Sequence, residues 1–99
     1  MEHLNRIELR GIVGSVRTSN VSDTRIANFS LATNYSYTDK NGYPVIETTW
    51  HSVTAFGISA LEKGDRVHVL GRLRARRYIS SDGVERMTYE VIANKVDRI

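Results

Sequence analysis

Apolar side chains in this sequence return every second residue over long stretches and almost never at the spacing of a helix. A period of two puts alternate side chains on opposite faces, so the chain is read as a series of β-strands. Ile7, Leu9 and Gly11 alternate with Arg6, Glu8 and Arg10, predicting a first strand over roughly 5–17. Thr18 to Thr24, rich in Ser, Thr, Asn and Asp, suits a loop. Phe29, Leu31 and Thr33 alternate with Asn28, Ser30 and Asn34 in a second strand over roughly 26–37. Thr38 to Gly42 ends in Asn-Gly, a strong turn signal, and Pro44 keeps its own stretch out of a central ladder position. A third strand covers roughly 46–56, with Trp50, Ser52, Thr54 and Phe56 of one parity and His51, Val53 and Ala55 of the other. Gly57 to Gly64 allows one or two helical turns, with Gly64 as the stop. A fourth strand over roughly 66–78 sets Val67, Val69, Gly71, Leu73 and Ala75 against Arg72, Arg74, Arg76 and Tyr78. Ser80 to Gly83 makes a hairpin turn into a fifth strand over roughly 85–97.

Five strands with a short helical turn between the third and fourth follow the order of an all-β OB-fold barrel. Closure is physically favoured, because a small all-β chain with open edges is exposed to edge-to-edge pairing. The 99 residues suffice for one such domain, 1–99, and not for two. Gly11, Gly14, Gly57 and Gly71 fit bends or close approaches of the backbone. With no long apolar run no membrane span is expected, and the opening residues lack the pattern of a secretory signal. Cysteine is absent, which removes disulfides and thiolate chemistry and fits a cytoplasmic setting.

The net charge of +3 is modest, but its distribution is not. Between Lys63 and Arg77 there are six basic residues, Lys63, Arg66, Arg72, Arg74, Arg76 and Arg77, against the single acid Asp65. A concentrated basic stripe is the footprint of a phosphate-backbone binder. Alternation lines up Arg72, Arg74 and Arg76 on one face at about 7 Å intervals, close to the phosphate repeat of an extended nucleic-acid strand. The competing reading is a solvated face blunted by charge. Lys40, in the turn, and Lys63 extend the track; Arg6, Arg10 and Arg17 are weaker candidates.

Aromatic residues accompany the stripe. Trp50 and Phe56 oppose the core parity of Val53 and Ala55, and Tyr78 opposes that of Val67 and Val69. Tyr37 shares the parity of Phe29 and Leu31 and reaches the same face only if its strand bulges. Flat rings outside a core suit stacking on unpaired bases, which tolerates any sequence because every base has a π-face. The three histidines, His3, His51 and His68, show no ligand spacing, so neither metal nor cofactor is expected. No nucleophile–base–acid arrangement or phosphate-cradling glycine loop stands out, so no catalytic residues and no enzyme activity are expected.

Asn28 to Thr33, Tyr37, Thr49 to Gly57, Lys63-Gly64, Val67 to Gly71, Leu73 to Tyr78, Asp82-Gly83 and Thr88 to Asn94 together resemble the bacterial single-stranded DNA-binding protein family, SSB. The resemblance covers almost the whole chain, and its Trp-His-x-Val-x-x-Phe-Gly segment is specific. It implies sequence-independent binding and protection of single-stranded DNA in replication, recombination or repair by a homotetramer, with a dimer as the smaller alternative. Stacking positions of the family correspond to Tyr37, Trp50, Phe56 and Tyr78. Its basic positions correspond to Lys40, Lys63, Arg74, Arg76 and Arg77, and His51 matches a histidine of a subunit contact. Tyr37 and Tyr78 stand where the best-known members carry Trp, and Ser52 and Ile58 where a basic residue is frequent, which implies weaker binding per subunit. The family's flexible tail with an acidic tip does not occur in the residues through Ile99, so tail-dependent recruitment of replication enzymes is not expected of this sequence. The alternative is a primosome-type OB-fold module that binds a replication protein first and DNA second.

Overall fold

The computed structural model describes residues 1–99. Five strands succeed one another: β1 Ile7–Val21, β2 Thr24–Thr38, β3 Pro44–Phe56, β4 Arg66–Ile79 and β5 Glu85–Arg98. They form a closed barrel in the order β1-β2-β3-β5-β4, as expected for an OB fold. All neighbours are antiparallel except β3 and β5, which meet in a short parallel seam at Val53–Val91, Thr54–Ile92 and Ala55–Ala93.

Alternation fills the interior as anticipated. Val13, Phe29, Leu31, Val53, Ala55, Val67, Val69 and Val91 are buried together, all of one parity on their strands. Such β-branched and compact side chains suit the narrow interior of a small barrel. Beyond this core the paired strands run on as exposed arms, the β1–β2 end among them. The β2–β3 arm turns at Asp39 to Tyr43, where the Asp39 carboxylate accepts the Asn41 and Tyr43 amides. The β4–β5 arm turns at Ser80 to Val84, where the Gly83 amide donates to the Ser80 carbonyl at 2.9 Å. Pro44 is the first residue of β3, where its missing N–H costs the ladder least.

Two expectations are corrected. Thr18 to Thr24 is not a loop: β1 and β2 stay paired through Val21 and Thr24, and only Ser22 and Asp23 turn, both at positive φ. A two-residue turn with left-handed backbone matches the twist of its strands, so the polar run continues the ladder. The segment between β3 and β4 forms no helical turn. Its backbone groups bond across to β1 and β2 instead: Gly57 N–H donates to Arg25, Gly64 N–H to Val13, and Val13 N–H to Asp65, each at 2.8 Å. Gly57 and Gly64, both at positive φ, bend this strap over the barrel, and Leu61 plugs into the core from it. Arg98 closes the strap from the far strand, bonding to Ser59, to the Ala60 carbonyl and to Asp65. The Glu62 amide holds the Asp65 carboxyl below its ordinary pKa, with Arg98 adding to the effect.

Candidate nucleic-acid interface

Register decides which side chains share the outer surface. Across β2 and β3, Trp50 stands opposite Ala32, Ser52 opposite Ser30, Thr54 opposite Asn28 and Phe56 opposite Ile26. Across the seam, Thr54 meets Ile92, and Ile92 meets Arg72. Further along, Arg74 faces Glu90, Arg76 faces Thr88 and Tyr78 faces Arg86. Partners opposite one another lie on one side of a sheet. Trp50, Phe56, Arg72, Arg74, Arg76 and Tyr78 therefore occupy a single continuous outer face running over β3, β5 and β4. The rings are accessible: Trp50 is 61% exposed, Phe56 51% and Tyr78 45%.

Trp50 is seated by β1. That strand carries a bulge between Val13 and Val16, where the Ser15 amide donates to Ser30 Oγ at 2.9 Å. A side chain at Gly14 would put its Cβ 2.6 Å from Trp50 Cζ3, so the bare backbone here makes room for the indole. Two open hollows flank the ring. One, of about 280 Å³, is lined by Ser15, Arg17, Asn28, Phe29, Ser30, Trp50, His51 and Ser52. The other, beside Gly14, brings in Lys63 from the strap. Strand parity alone gave Trp50 no cationic neighbour. The bulge and the strap supply two, and Arg17, a weak candidate from sequence, becomes a member of the face.

Other expected residues stand elsewhere. The β2–β3 register is unbroken from Ile26 to Thr38, so no bulge brings Tyr37 round to Trp50; it lies on the opposite side of that arm with Tyr35, ring centroids 6.0 Å apart. It is nonetheless 41% exposed. Arg77 likewise has the parity opposite to Arg72, Arg74, Arg76 and Tyr78, and pairs with Glu85 at 3.5 Å. Lys40 sits exposed in the turn of the β2–β3 arm. His51 has core parity at the barrel's rim, half-buried, with Nε2 2.8 Å from Thr33 Oγ1. Burial pushes its pKa down.

One acid is set into the basic face. Glu90 is only 8% exposed. Its Oε1 accepts Arg74 Nη2 at 2.6 Å and Nε at 3.1 Å, and its Oε2 accepts Thr54 Oγ1 at 3.2 Å. Thr54 Oγ1 also lies 2.8 Å from Asn28 Oδ1, which ties β2, β3, β5 and β4 through one hydroxyl and one carboxylate. Hydrogen bonding from Arg74 draws the Glu90 pKa down, against the opposing effect of burial. Nothing in the alternation of the sequence marks Glu90; its position opposite Arg74 comes only from the β4–β5 register.

The same barrel recurs in known proteins. A Plasmodium falciparum SSB, solved in complex with ssDNA, superposes with a TM-score of 0.81 at 31% identity, covering 100% of this chain and 96% of that one. A deletion mutant of the single-stranded DNA binding protein from Thermus aquaticus gives 0.79 at 27% identity over 97% of this chain and 50% of that one. A single-stranded DNA-binding protein of Neisseria meningitidis is 38% identical over 77 residues, 72% of this chain. That alignment spans 44% of the relative, so the chain corresponds to less than half the length of the curated relatives it matches. The model of the single-strand binding protein family matches residues 4–99, and the chain with this barrel and this outer face belongs to that family.

Proposed function

We propose that this chain binds single-stranded DNA without strong sequence preference and shields it, by stacking bases on Trp50, Phe56 and Tyr78 while Lys63, Arg72, Arg76 and Arg17 meet the phosphates. The observation that carries this reading is the common outer face: three accessible rings and the arginine row lie on one side of one continuous sheet. Aromatic platforms beside a cationic track are what an unpaired strand requires, and a duplex, whose bases are already stacked, gains nothing from the rings. Arg74 belongs to the row with its charge offset by Glu90. Tyr37 and Lys40 stand on the β2–β3 arm and meet a strand that passes round it, while Arg77 stands on the other side of the β4–β5 arm from the arginine row. The reading contains no bond-making step and needs no cofactor. Its setting is the cytoplasm, in replication, recombination or repair.

The same side of the β4–β5 arm as Arg77 presents Leu73, Ile79, Met87 and Tyr89, all exposed. Apolar side chains gathered this way favour burial against another copy. We assign the protein to a homotetramer in which these arm faces and the rim near His51 are covered. The family match favours strand binding over the assembly-module alternative.

Titration of oligo-dT with detection of mass and of Trp50 fluorescence tests both statements together. Quenching on binding, an affinity that falls as salt rises, and a mass of four subunits are expected. Unquenched emission with no complex at low salt refutes the binding reading; a monomeric mass refutes the assembly.

A further inference from the structure

We propose that Glu90 is a positioning residue that sets the effective charge of the strand-binding face by holding Arg74 out of the phosphate track. The inference rests on the reading that this face binds single-stranded DNA. Of the three arginines in the row, only the middle one is hydrogen-bonded to an acid: Glu90 Oε1 accepts both Nε and Nη2 of Arg74, while Arg72 and Arg76 make no ion pair and Arg76 feels the Glu90 charge only through space. The carboxylate is almost wholly buried and fixed from its other side by Thr54, so it cannot swing away to release its partner cheaply. Charge-assisted bonds to a buried acceptor are among the strongest a side chain forms, and breaking this one would leave the carboxylate unpaired.

The row therefore reads as charge, neutral pair, charge. Free guanidinium groups recur along β4 about every 13 Å, twice the interval that three free arginines give. A strand crossing this stretch finds two phosphate partners where the sequence offers three. Fewer fixed phosphates mean fewer counterions released per protomer, a shallower dependence on salt and weaker binding when salt is low. Glu90 thus favours release of the strand, and Arg74 contributes a clamped link across β4 and β5 in place of a mobile charge.

The salt dependence of binding to an oligo-dT short enough to engage one protomer separates this from a purely structural role. Four proteins are compared: wild type, Arg76→Gln, Glu90→Gln and the double variant Arg74→Gln/Glu90→Gln. Each phosphate partner contributes about 0.7 to the slope of log K against log salt for a single strand. Arg76→Gln should make the slope shallower by about 0.7. Glu90→Gln, which keeps the shape and frees the Arg74 charge, should make it steeper by about 0.7, so that the fall in affinity from roughly 50 to 200 mM salt is about threefold larger than in wild type. The double variant should keep the wild-type slope, and it carries the test if Glu90→Gln fails to fold, since it leaves no charge unpartnered. An unchanged slope in folded Glu90→Gln, or a slope shallower by about 0.7 in the double variant, overturns the inference. Wild type that binds no oligo-dT, or a slope unmoved by Arg76→Gln, overturns the binding reading itself.

Discussion

Trp50 owes its position to a residue with no side chain. Its indole lies across Gly14, and the bulge of β1 brings Ser15 and Ser30 against the same spot. Trp50→Ala should weaken oligo-dT binding by about 1–3 kcal/mol, the usual worth of one stacked base, read by titration with a labelled oligonucleotide. Tyr37→Ala should cost less, because its ring stands across the β2–β3 arm from Trp50. Gly14→Ala should displace the indole without unfolding the barrel. A shifted emission maximum in the free protein together with weaker binding is expected; unaltered emission would show that Trp50 does not depend on this glycine. Much at this scale was legible in the sequence. The parity of Trp50, Phe56, Tyr78 and the arginine row against Val53 and Val67 is simple alternation, and it carries through to the surface. Arg17 and Lys63 beside Trp50 were not legible as neighbours, because a bulge and a strap, which break the period, bring them there. Glu90 was hidden for a related reason: which acid meets which arginine is a matter of register, and register depends on where a hairpin turns.

Among the elements, the strap from Gly57 to Asp65 departs furthest from expectation. Ile58 to Lys63 reads locally as helix, with a glycine at each end, yet helix nucleation is costly and a few residues seldom repay it. Bonds from Gly57 and Gly64 to neighbouring strands, together with burial of Leu61, offer more. Leu61→Ala should destabilise the protein by about 2–5 kcal/mol, the range for emptying a buried leucine site, measured by urea unfolding. A loss below about 0.5 kcal/mol, within the range of surface changes, would mean that the strap contributes little to the core. The run from Thr18 to Val21 erred in the opposite direction. Its polar composition reads as loop, but an outer ladder beyond a barrel faces water on both sides and has no need of apolar residues. Patterning marks strands where one face is buried and loses its meaning where neither is.

At the scale of the whole molecule, acid should act first through two of the groups whose pKa values are lowered by folding. His51 sits below its ordinary 6.5 because burial disfavours the charged ring, so the folded state binds fewer protons than the unfolded one as pH drops past that value. Glu90 sits below its ordinary 4.5, chiefly through Arg74. In both cases the stability present above the unfolded value is lost as pH falls toward the folded one. Thermal unfolding measured from neutral to acid pH should show a decline beginning near 6.5 and a second near 4.5. Glu90→Gln should flatten the second and leave the first; persistence of both in that variant would assign the acid loss to other carboxyls, of which Asp65 and Asp82 are also held below their ordinary values.

The parallel seam carries a kinetic consequence. Val53 meets Val91 and Ala55 meets Ala93 across 38 residues of chain, and β1 meets β4 across 54 to 64, whereas β1 with β2 and β4 with β5 are each joined by a short hairpin. Local hairpins zip up quickly, and a pairing so distant in sequence must wait for both halves. Closure of the barrel, at this seam and where β1 meets β4, should therefore come last, from an open sheet whose unpaired edges stay exposed until then. During that interval a newly made chain is at its most vulnerable to sticking to its siblings, and substitutions at Val53 or Val91 should act on how fast it escapes that hazard as well as on how stable it finally becomes.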